Sequence, residues 1–131
     1  MSLDLNKKVV TVRPDQTITT KQNLPYYVGI STETAEAVGL SMNLVVIPPG
    51  ASPKAHYHKC FETAIYLLKG RVETRFGENL KESVINEEGD FVFIPPGVPH
   101  KPVNLSDSEP ALAIVSRNDP NEHENVVSYD Q

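Results

Sequence analysis

The spacing of the histidines indicates the clearest chemistry in this sequence. His56 and His58 stand two residues apart, Glu62 follows shortly after them, and His100 lies much farther along the chain. In a β-strand, residues i and i+2 point to the same face, so His56 and His58 can direct two imidazoles at one point. Glu62 can add a carboxylate from the next strand, and His100 can add an imidazole from a distant one.

Imidazole and carboxylate ligands together suit a divalent transition metal, namely Fe, Mn, Co, Ni, Cu or Zn. On an octahedral ion, three imidazoles and one carboxylate leave positions for water, dioxygen or a substrate, as a catalytic centre requires. Each residue has an ordinary reading too, because His-x-His on an exposed strand is commonly a pair of surface rings. The four residues together favour a metal site.

Other reactive side chains have simpler interpretations. Cys60 is the single cysteine; a thiolate is a competent ligand, but a free cysteine is more often a small buried apolar residue. Arg71, Glu73 and Arg75 share one face of a predicted strand, and we expect a solvated row of charges there, with a clamp for a substrate carboxylate as the alternative. His123 falls in a polar tail and is expected to be solvated or to contact a partner.

The elements that must position these residues are predicted to be strands. Short apolar and β-branched runs are bounded by Gly, Pro, Asn or Asp, which indicates an all-β domain. Several runs are apolar at consecutive positions, so both faces of their strands should be covered, as in a sandwich or a closed barrel. Tyr66, Phe76, Phe91 and Phe93 are then expected in the core. The runs are residues 9–12, 26–30, 44–47, 65–68, 91–94 and 112–115.

Two further elements are expected outside these runs. Residues 32–38 have the composition of a short helix that Ser31 or Thr32 would cap. Val126 and Val127 are expected to pack back on the domain or to form a last edge strand. The polar tail, residues 118–131, should otherwise leave the core.

Length and charge limit the function classes. The chain of 131 residues is expected to form one domain, 1–131. Seventeen acidic residues against 12 basic ones give a net charge of -5, so neither nucleic acid nor an anionic membrane is an expected partner. One cysteine excludes an internal disulfide framework, and the N-terminus has no signal-like apolar run, so we expect a cytoplasmic protein.

Two stretches of the sequence resemble the paired motifs of the cupin superfamily. The family's first motif is Gly-x5-His-x-His-x3 or x4-Glu-x6-Gly, and its second is Gly-x5-Pro-x-Gly-x2-His-x3-Asn. The chain is similar to a compact, single-domain microbial cupin, with the first motif at residues 50–70 and the second at residues 89–104. The matching residues are Gly50, His56, His58, Glu62 and Gly70, then Gly89, Pro95, Gly97, His100 and Asn104.

The resemblance implies a double-stranded β-helix, or jelly-roll, barrel. It also implies a divalent metal held inside by His56, His58, Glu62 and His100, and a homodimer with exchanged or aligned terminal strands. One spacing departs from the pattern, because seven residues separate Glu62 from Gly70 where the family usually has six. Counting back from Gly70 places Thr63 at the usual ligand position.

The departure leaves two ligand sets open. Counting forward from His58 favours Glu62 as the ligand, with the extra residue absorbed as a β-bulge. The alternative is a three-histidine site with water in place of the carboxylate, since a shift of one residue reverses the facing of a strand side chain. We expect Glu62 to ligate the metal and, if it dissociates, to act as a catalytic base.

The predicted function is that of a metal-dependent enzyme. Its substrate would be a small oxygen-bearing molecule bound at one divalent metal ion, and dioxygenase, isomerase and decarboxylase reactions are all compatible. The alternative is a non-catalytic module in which the metal orients a ligand for binding or sensing. A metal-free storage barrel is the weakest interpretation, because the ligand residues are intact.

Overall fold

The chain forms two antiparallel β-sheets in a computed structural model that describes residues 2–13, 17–19, 25–51, 53–121 and 126–130. The described elements run, in chain order, β1 (Thr17–Thr19), β2 (Pro25–Ile30), α1 (Thr32–Ala35), β3 (Ser41–Ile47), β4 (His56–His58), β5 (Thr63–Lys69), β6 (Val72–Phe76), a 3-10 turn (Glu78–Leu80), β7 (Glu82–Asn86), β8 (Phe91–Ile94), β9 (His100–Asn104), β10 (Ala111–Arg117) and β11 (Val126–Ser128).

The strand order is that of a jelly roll. One sheet has six strands in the order β1-β2-β3-β10-β5-β8, and the other has five in the order β11-β4-β9-β6-β7. Strands that are neighbours in a sheet are often distant in the chain, so β4 and β9 bring residues of the two predicted motifs together. The all-β, double-stranded β-helix fold predicted from the sequence is confirmed.

The core lies between the two sheets. Ile47, Leu67, Ala111 and Ala113 from the six-stranded sheet pack on Val72 from the other, and all five are at most 4 % exposed. Alternation along each strand places these residues on the inner face. The sequence predicted the strands that carry four of the five, through the runs at 44–47, 65–68 and 112–115.

Gly70 turns the chain between β5 and β6 at a point where only glycine fits. Its φ is +100°, a conformation that L side chains rarely adopt, and a Cβ there would lie 2.8 Å from the Cβ of Ala111. The last glycine of the first motif is therefore a packing requirement of the barrel.

Two local predictions need correction. Residues 9–11 are exposed, Val12 is half-buried, and none of the four is in a strand, because no neighbouring strand pairs with them among the described residues. The helix is shorter than expected: it begins after the Ser31 cap and ends at Glu36, which takes the left-handed conformation with φ 57°. The predicted edge strand at Val126 and Val127 is confirmed as β11, which pairs with β4.

The outer face of the six-stranded sheet is formed mostly by uncharged side chains, with the exposed Lys69 opposite Leu112 near one end of β5. Phe91 is 85 % exposed and Phe93 is 59 % exposed, so the prediction that both lie in the core is wrong. Cross-strand pairing and, for Leu68, alternation along β5 place one set of uncharged residues on this face, which we call the uncharged face: Tyr27, Met42, Leu44, Val46, Ala64, Tyr66, Leu68, Phe91, Phe93, Leu112, Ile114 and Ser116.

Candidate metal centre

Three histidines from two adjacent strands converge inside the barrel. His56 and His58 occupy the two ends of β4, and both point inward because alternate residues of a strand share a face. His100 begins β9 and pairs directly with His56 across the sheet. The side chains are buried, with His56 7 %, His58 3 % and His100 5 % exposed.

The spacing of the ring nitrogens suits a single cation. One nitrogen from each of the three histidines lies within 4.8 Å of the others. The Nε2 atoms of His56 and His58 are 3.2 Å apart. Two nitrogens that each lie about 2.0–2.1 Å from one ion would be separated by about 2.8–3.4 Å between octahedral and tetrahedral angles. The three-histidine group is therefore suitable for a metal.

A backbone carbonyl selects the free nitrogen of His100. Its Nδ1 lies 2.8 Å from the carbonyl oxygen of Val98. A carbonyl can only accept a hydrogen bond, so Nδ1 carries the proton and Nε2 keeps its lone pair. The Pro-Gly turn that precedes His100 is hydrogen-bonded to β4, since the N–H of Gly97 donates to the carbonyl of His58 at 2.8 Å. The Pro-Gly turn of the second motif thus orients His100 against β4.

Burial keeps the three imidazoles neutral. It is the main cause that lowers the pKa of His56 to about 2, with further contributions from His100, His58 and Arg117. Burial likewise lowers the pKa of His58 to about 3, with contributions from Arg117 and His100. For His100, burial lowers the pKa to about 4 although the hydrogen bond to Val98 raises it. Metal binding requires this neutral form.

Two other ring nitrogens of the three-histidine group are buried without a protein partner. The Nδ1 atoms of His56 and His58 are buried and make no hydrogen bond in the described chain. Buried polar atoms without partners are costly, and such atoms concentrate where a site does more than stabilise the fold. The donor set, the spacing and the burial all fit a bound divalent ion.

Glu62 lies apart from the three histidines. Its side chain is exposed, and its carboxylate is not among the donor atoms that come within 4.8 Å of one another. Its backbone is held by Asn118, whose Oδ1 accepts from the N–H of Glu62 at 2.8 Å. The predicted role of Glu62 as a ligand and base stays a prediction.

Thr63 takes the inward position at this point of the chain. It is the first residue of β5 and only 1 % exposed. The neighbouring strand β10 places Arg117 directly opposite Thr63, and the Nε of Arg117 donates to the Thr63 hydroxyl at 2.9 Å. The spacing from Gly70 had signalled Thr63, but no sequence pattern singled out Arg117.

The remaining candidates lie away from the site. Cys60 is a free and exposed cysteine, so the expectation of a buried apolar role is wrong. Arg71 forms an exposed ion pair with Glu87 at 3.2 Å, which agrees with a solvated row of charges. His123 lies outside the described residues.

Asn104 has a structural role that the motif alone did not reveal. Its Nδ2 donates to the carbonyls of Ile47 at 2.9 Å and Glu109 at 2.8 Å, and its Oδ1 accepts from the N–H of Ser106 at 2.9 Å. These bonds tie the end of β9 to the end of β3. The last residue of the second motif thus closes the barrel at the end of β9 away from His100.

Solved structures share this fold at low sequence identity. The oxalate decarboxylase of Lactobacillus farciminis, in a formate complex, superposes with a TM-score of 0.72 at 21% identity over 86% of this chain and 33% of that one. The Bacillus subtilis oxalate decarboxylase at pH 4.6 gives 0.71 and 22% over 87% of this chain and 29% of that one. This chain therefore spans about a third of their length.

A smaller neighbour matches end to end. An uncharacterized conserved protein with a double-stranded β-helix domain from Klebsiella pneumoniae gives a TM-score of 0.66 at 17% identity, over 92% of both chains. No protein of curated function matches the sequence. None of the helices in the described part of the chain is long and apolar enough to cross a membrane. The cupin domain family matches residues 43–116, more than half of the sequence, and this chain belongs to that family.

Proposed function

We propose that this protein is a mononuclear metal enzyme that acts on a small oxygen-bearing molecule. The observation that carries the proposal is the convergence of three buried, neutral imidazoles whose ring nitrogens lie within 4.8 Å of one another. Structural metal sites are usually closed by four protein ligands, whereas catalytic ones keep positions open. Three protein donors fit the open type.

The residues of the chain have distinct tasks in this proposal. His56, His58 and His100 hold the ion, and the Val98 carbonyl fixes which nitrogen of His100 is offered. When bound, a divalent ion supplies Lewis-acid activation of a coordinated oxygen group, and a redox-active ion adds electron transfer. The three histidines are buried, and the lower dielectric constant away from water strengthens charge interactions at the site.

Glu62 remains the predicted fourth ligand and proton carrier. Its exposed position would require the loop between β4 and β5 to move before the carboxylate reached the histidines. Two hydrogen bonds oppose that movement. The N–H of Glu62 donates to Oδ1 of Asn118, and the N–H of Asn118 donates to the carbonyl of Glu62. A Glu62→Ala variant that retains less metal than the wild type would support the role, and unchanged metal content would remove it.

Decarboxylation is the reaction to test first among the three predicted classes. The neighbours with the same fold include oxalate decarboxylases, one of them from a study of Mn(II) centres. At about 20% identity these likenesses suggest a first assay, with Mn²⁺ as the first metal and oxalate as the first substrate. Dioxygenase and isomerase reactions follow with Fe²⁺ and Ni²⁺.

The decisive experiment compares metal content and turnover in matched variants. Protein produced without added metal is stripped with a chelator, reloaded with one ion at a time, and analysed for bound metal. We expect about one ion per chain in the wild type and in Cys60→Ser, which removes an exposed thiol, but a large loss in His58→Ala. Equal metal content in all three proteins would refute the site.

A non-catalytic binding module is the second outcome of the same experiment. Metal-loaded protein that melts at a higher temperature with a small carboxylate, yet converts none of the substrates tested, would identify a binding or sensing function. Turnover that disappears in His58→Ala and survives in Cys60→Ser would identify an enzyme.

We also propose that two copies associate through the uncharged face. The sequence predicts both faces of these strands to be covered, yet the outer face of the described chain holds exposed apolar side chains: Met42 is 44 %, Leu68 46 %, Phe91 85 % and Phe93 59 % exposed. The outer face of the other sheet carries charges instead, with Glu73 and Arg75 on β6 and Lys101 on β9. An extended uncharged face with two exposed phenylalanines complements a copy of itself, as the two-fold symmetry of a homodimer requires.

Sedimentation tests the dimer with a matched pair of substitutions. Phe91→Lys places a charge on the uncharged face, while Ile85→Lys places one on β7, where Ile85 lies opposite Glu73. We expect a dimer for the wild type and for Ile85→Lys, and a monomer for Phe91→Lys. A monomeric wild type would contradict the proposed interface, and so would a Phe91→Lys variant that remains a dimer.

A further inference from the structure

The inner face of the six-stranded sheet is buried at both ends and half-buried in the middle. On β5, Leu67 is 2 % exposed and Thr63 is 1 % exposed, whereas Ile65 between them is half-buried. Val115 on β10 and Val92 on β8 stand directly opposite Ile65 on either side, and both are also half-buried. Because alternate residues of a strand share a face, all three point inward. The space that exposes them therefore lies between the two sheets.

The five-stranded sheet presents a similar row beside the histidines. Phe76 on β6 pairs directly with His100, and Thr74 and Pro102 form the next pair on the same face. Phe76, Thr74 and Pro102 are all half-buried. The Thr74 hydroxyl is already engaged, since it donates to Oδ1 of Asn86 at 2.7 Å. The surface next to His100 is therefore mainly apolar.

Contacts at both ends place this space between the core and the histidines. At one end, Val72 belongs to the same core cluster as Ile47, and Nδ2 of Asn104 donates to the Ile47 carbonyl at 2.9 Å. At the other end, the N–H of Gly97, in the turn after β8, donates to the carbonyl of His58 at 2.8 Å. We call the space between these ends the inner pocket. Its described wall consists of Ile65, Val92, Val115, Thr74, Phe76 and Pro102.

The length of the inner pocket limits the size of a ligand. His100 and Asn104 are the first and last residues of β9, and Pro102 lies midway between them. At about 3.3 Å per residue, Pro102 is about 7 Å from each of them along the strand. A chain of about four to six carbon atoms, with bonds of about 1.5 Å, spans that distance.

The chemistry of the wall favours an apolar occupant. None of its six residues is charged, and all except Thr74 are aliphatic or aromatic. Each methylene group that leaves water against such a surface improves binding about fourfold. A small polar molecule such as oxalate could reach the ion but would leave this wall in contact with water.

We propose that the metal centre takes a molecule whose oxygen-bearing group binds the ion and whose aliphatic body of about four to six carbon atoms fills the inner pocket. The inference rests on the proposed metal site and adds the class of its substrate. Ile65, Val92 and Val115 contact the aliphatic body and determine the preference for it. The histidines hold the ion that binds the oxygen-bearing group.

A series of carboxylates separates the aliphatic body from the oxygen-bearing group. Co²⁺-loaded protein is titrated with acetate, butyrate, hexanoate and decanoate, which share one carboxylate and differ only in chain length. Binding is followed by calorimetry and by the visible spectrum of the ion. We expect affinity to rise about 4- to 15-fold from acetate to butyrate and again from butyrate to hexanoate, as for two buried methylene groups. Decanoate should gain nothing further, because its chain would meet the core.

Variants of the wall are compared with a matched control. Val115→Thr keeps the shape and adds a hydroxyl, so hexanoate should weaken about 3- to 10-fold while acetate changes less than about twofold. Val103→Thr makes the same change on the outer face of β9, where Val103 lies opposite Glu73, and both affinities should stay within about twofold. Ile65→Phe fills the pocket and should abolish the gain with chain length. If Ile65→Phe does not fold, Val115→Thr and Val103→Thr decide the question.

The outcomes separate this inference from the proposed function. If the wild type binds Co²⁺ but holds acetate and hexanoate equally, no aliphatic body enters the pocket and only the inference fails. A gain with chain length that Val115→Thr leaves unchanged, or that continues to decanoate, would also overturn it, because the chains would then bind elsewhere. Equal weakening of acetate and hexanoate in Val115→Thr would count against it too, since the variant would have damaged the metal site. Failure of the wild type to bind Co²⁺ would overturn both.

Discussion

Replacing one histidine of the centre should change how the metal-free protein responds to acid. In the unfolded chain a histidine takes up a proton near its ordinary pKa of about 6.5. In the folded protein, burial lowers the pKa of His56 to about 2, of His58 to about 3 and of His100 to about 4. Between pH 6.5 and pH 4 the unfolded state therefore binds more protons, and acid shifts the equilibrium toward unfolding.

The size of the effect follows from the number of protons. Each histidine contributes at most about 1.4 kcal/mol per pH unit to the slope of the unfolding free energy. At pH 5 all three are almost fully protonated only in the unfolded chain, so the slope is about 4 kcal/mol per pH unit. Because His58→Gln removes one of the three histidines, it should reduce that slope by about one third.

Urea denaturation of chelator-treated protein at pH 5, 5.5, 6 and 6.5 measures this slope. The wild type should lose about 5 kcal/mol between pH 6.5 and pH 5, which approaches the whole stability of a small domain. His58→Gln should lose distinctly less over the same interval, because all other titrating groups are common to both proteins. Parallel pH profiles for the two proteins would show that His58 titrates normally in the folded state and would refute the reasoning.

Other predictions concern the barrel and its metal. Leu67→Ala should destabilise the protein by about 2–5 kcal/mol in urea denaturation, because Leu67 is 2 % exposed in the core; an effect below 1 kcal/mol would contradict that packing. Gly70→Ala should lower the melting temperature more than Gly89→Ala, since a Cβ at Gly89 meets no atom within 4 Å, and equal effects would contradict the close approach to Ala111. Stoichiometric Co²⁺ should raise the melting temperature of the wild type at pH 7.5, while identical melting with and without chelator would argue against an occupied site.

Most of the fold was predictable because its signals are local. The runs at 44–47, 65–68 and 112–115 are apolar and bounded by turn residues, and each became a central strand. Residues 9–12 have the same composition but form no strand, since a strand needs a neighbour and composition does not say whether one is present. The two motifs, which are separated by many residues in the chain, indicated that their histidines converge, and the pairing of β4 with β9 brings them together.

The histidines of the site were predictable and the rest of its surroundings were not. His56, His58 and His100 follow from strand alternation and from the motif spacing, and the structure brings all three together. The facing of Glu62 and Thr63 depends on one residue of register; counting forward from His58, which we favoured, assigns the ligand position to Glu62, and counting back from Gly70 assigns it to Thr63. Arg117 is distant in sequence, and only the pairing of β10 with β5 places it opposite Thr63.

The exposure of Phe91 and Phe93 was likewise not predictable from the sequence. The sequence predicted that both faces of their strand are covered, but it could not say whether the covering surface belongs to the same chain. A sheet face that another copy covers and one that a helix covers have the same apolar pattern. The association state therefore has to be measured.

X-ray absorption spectroscopy of the Co²⁺-loaded protein tests the central claim most directly. The account predicts one ion per chain with three imidazole nitrogens at about 2.0–2.2 Å, and a signal of two imidazoles in His100→Gln. A bound ion without imidazole scattering, or one whose imidazole count is unchanged in His100→Gln, would contradict the three-histidine centre.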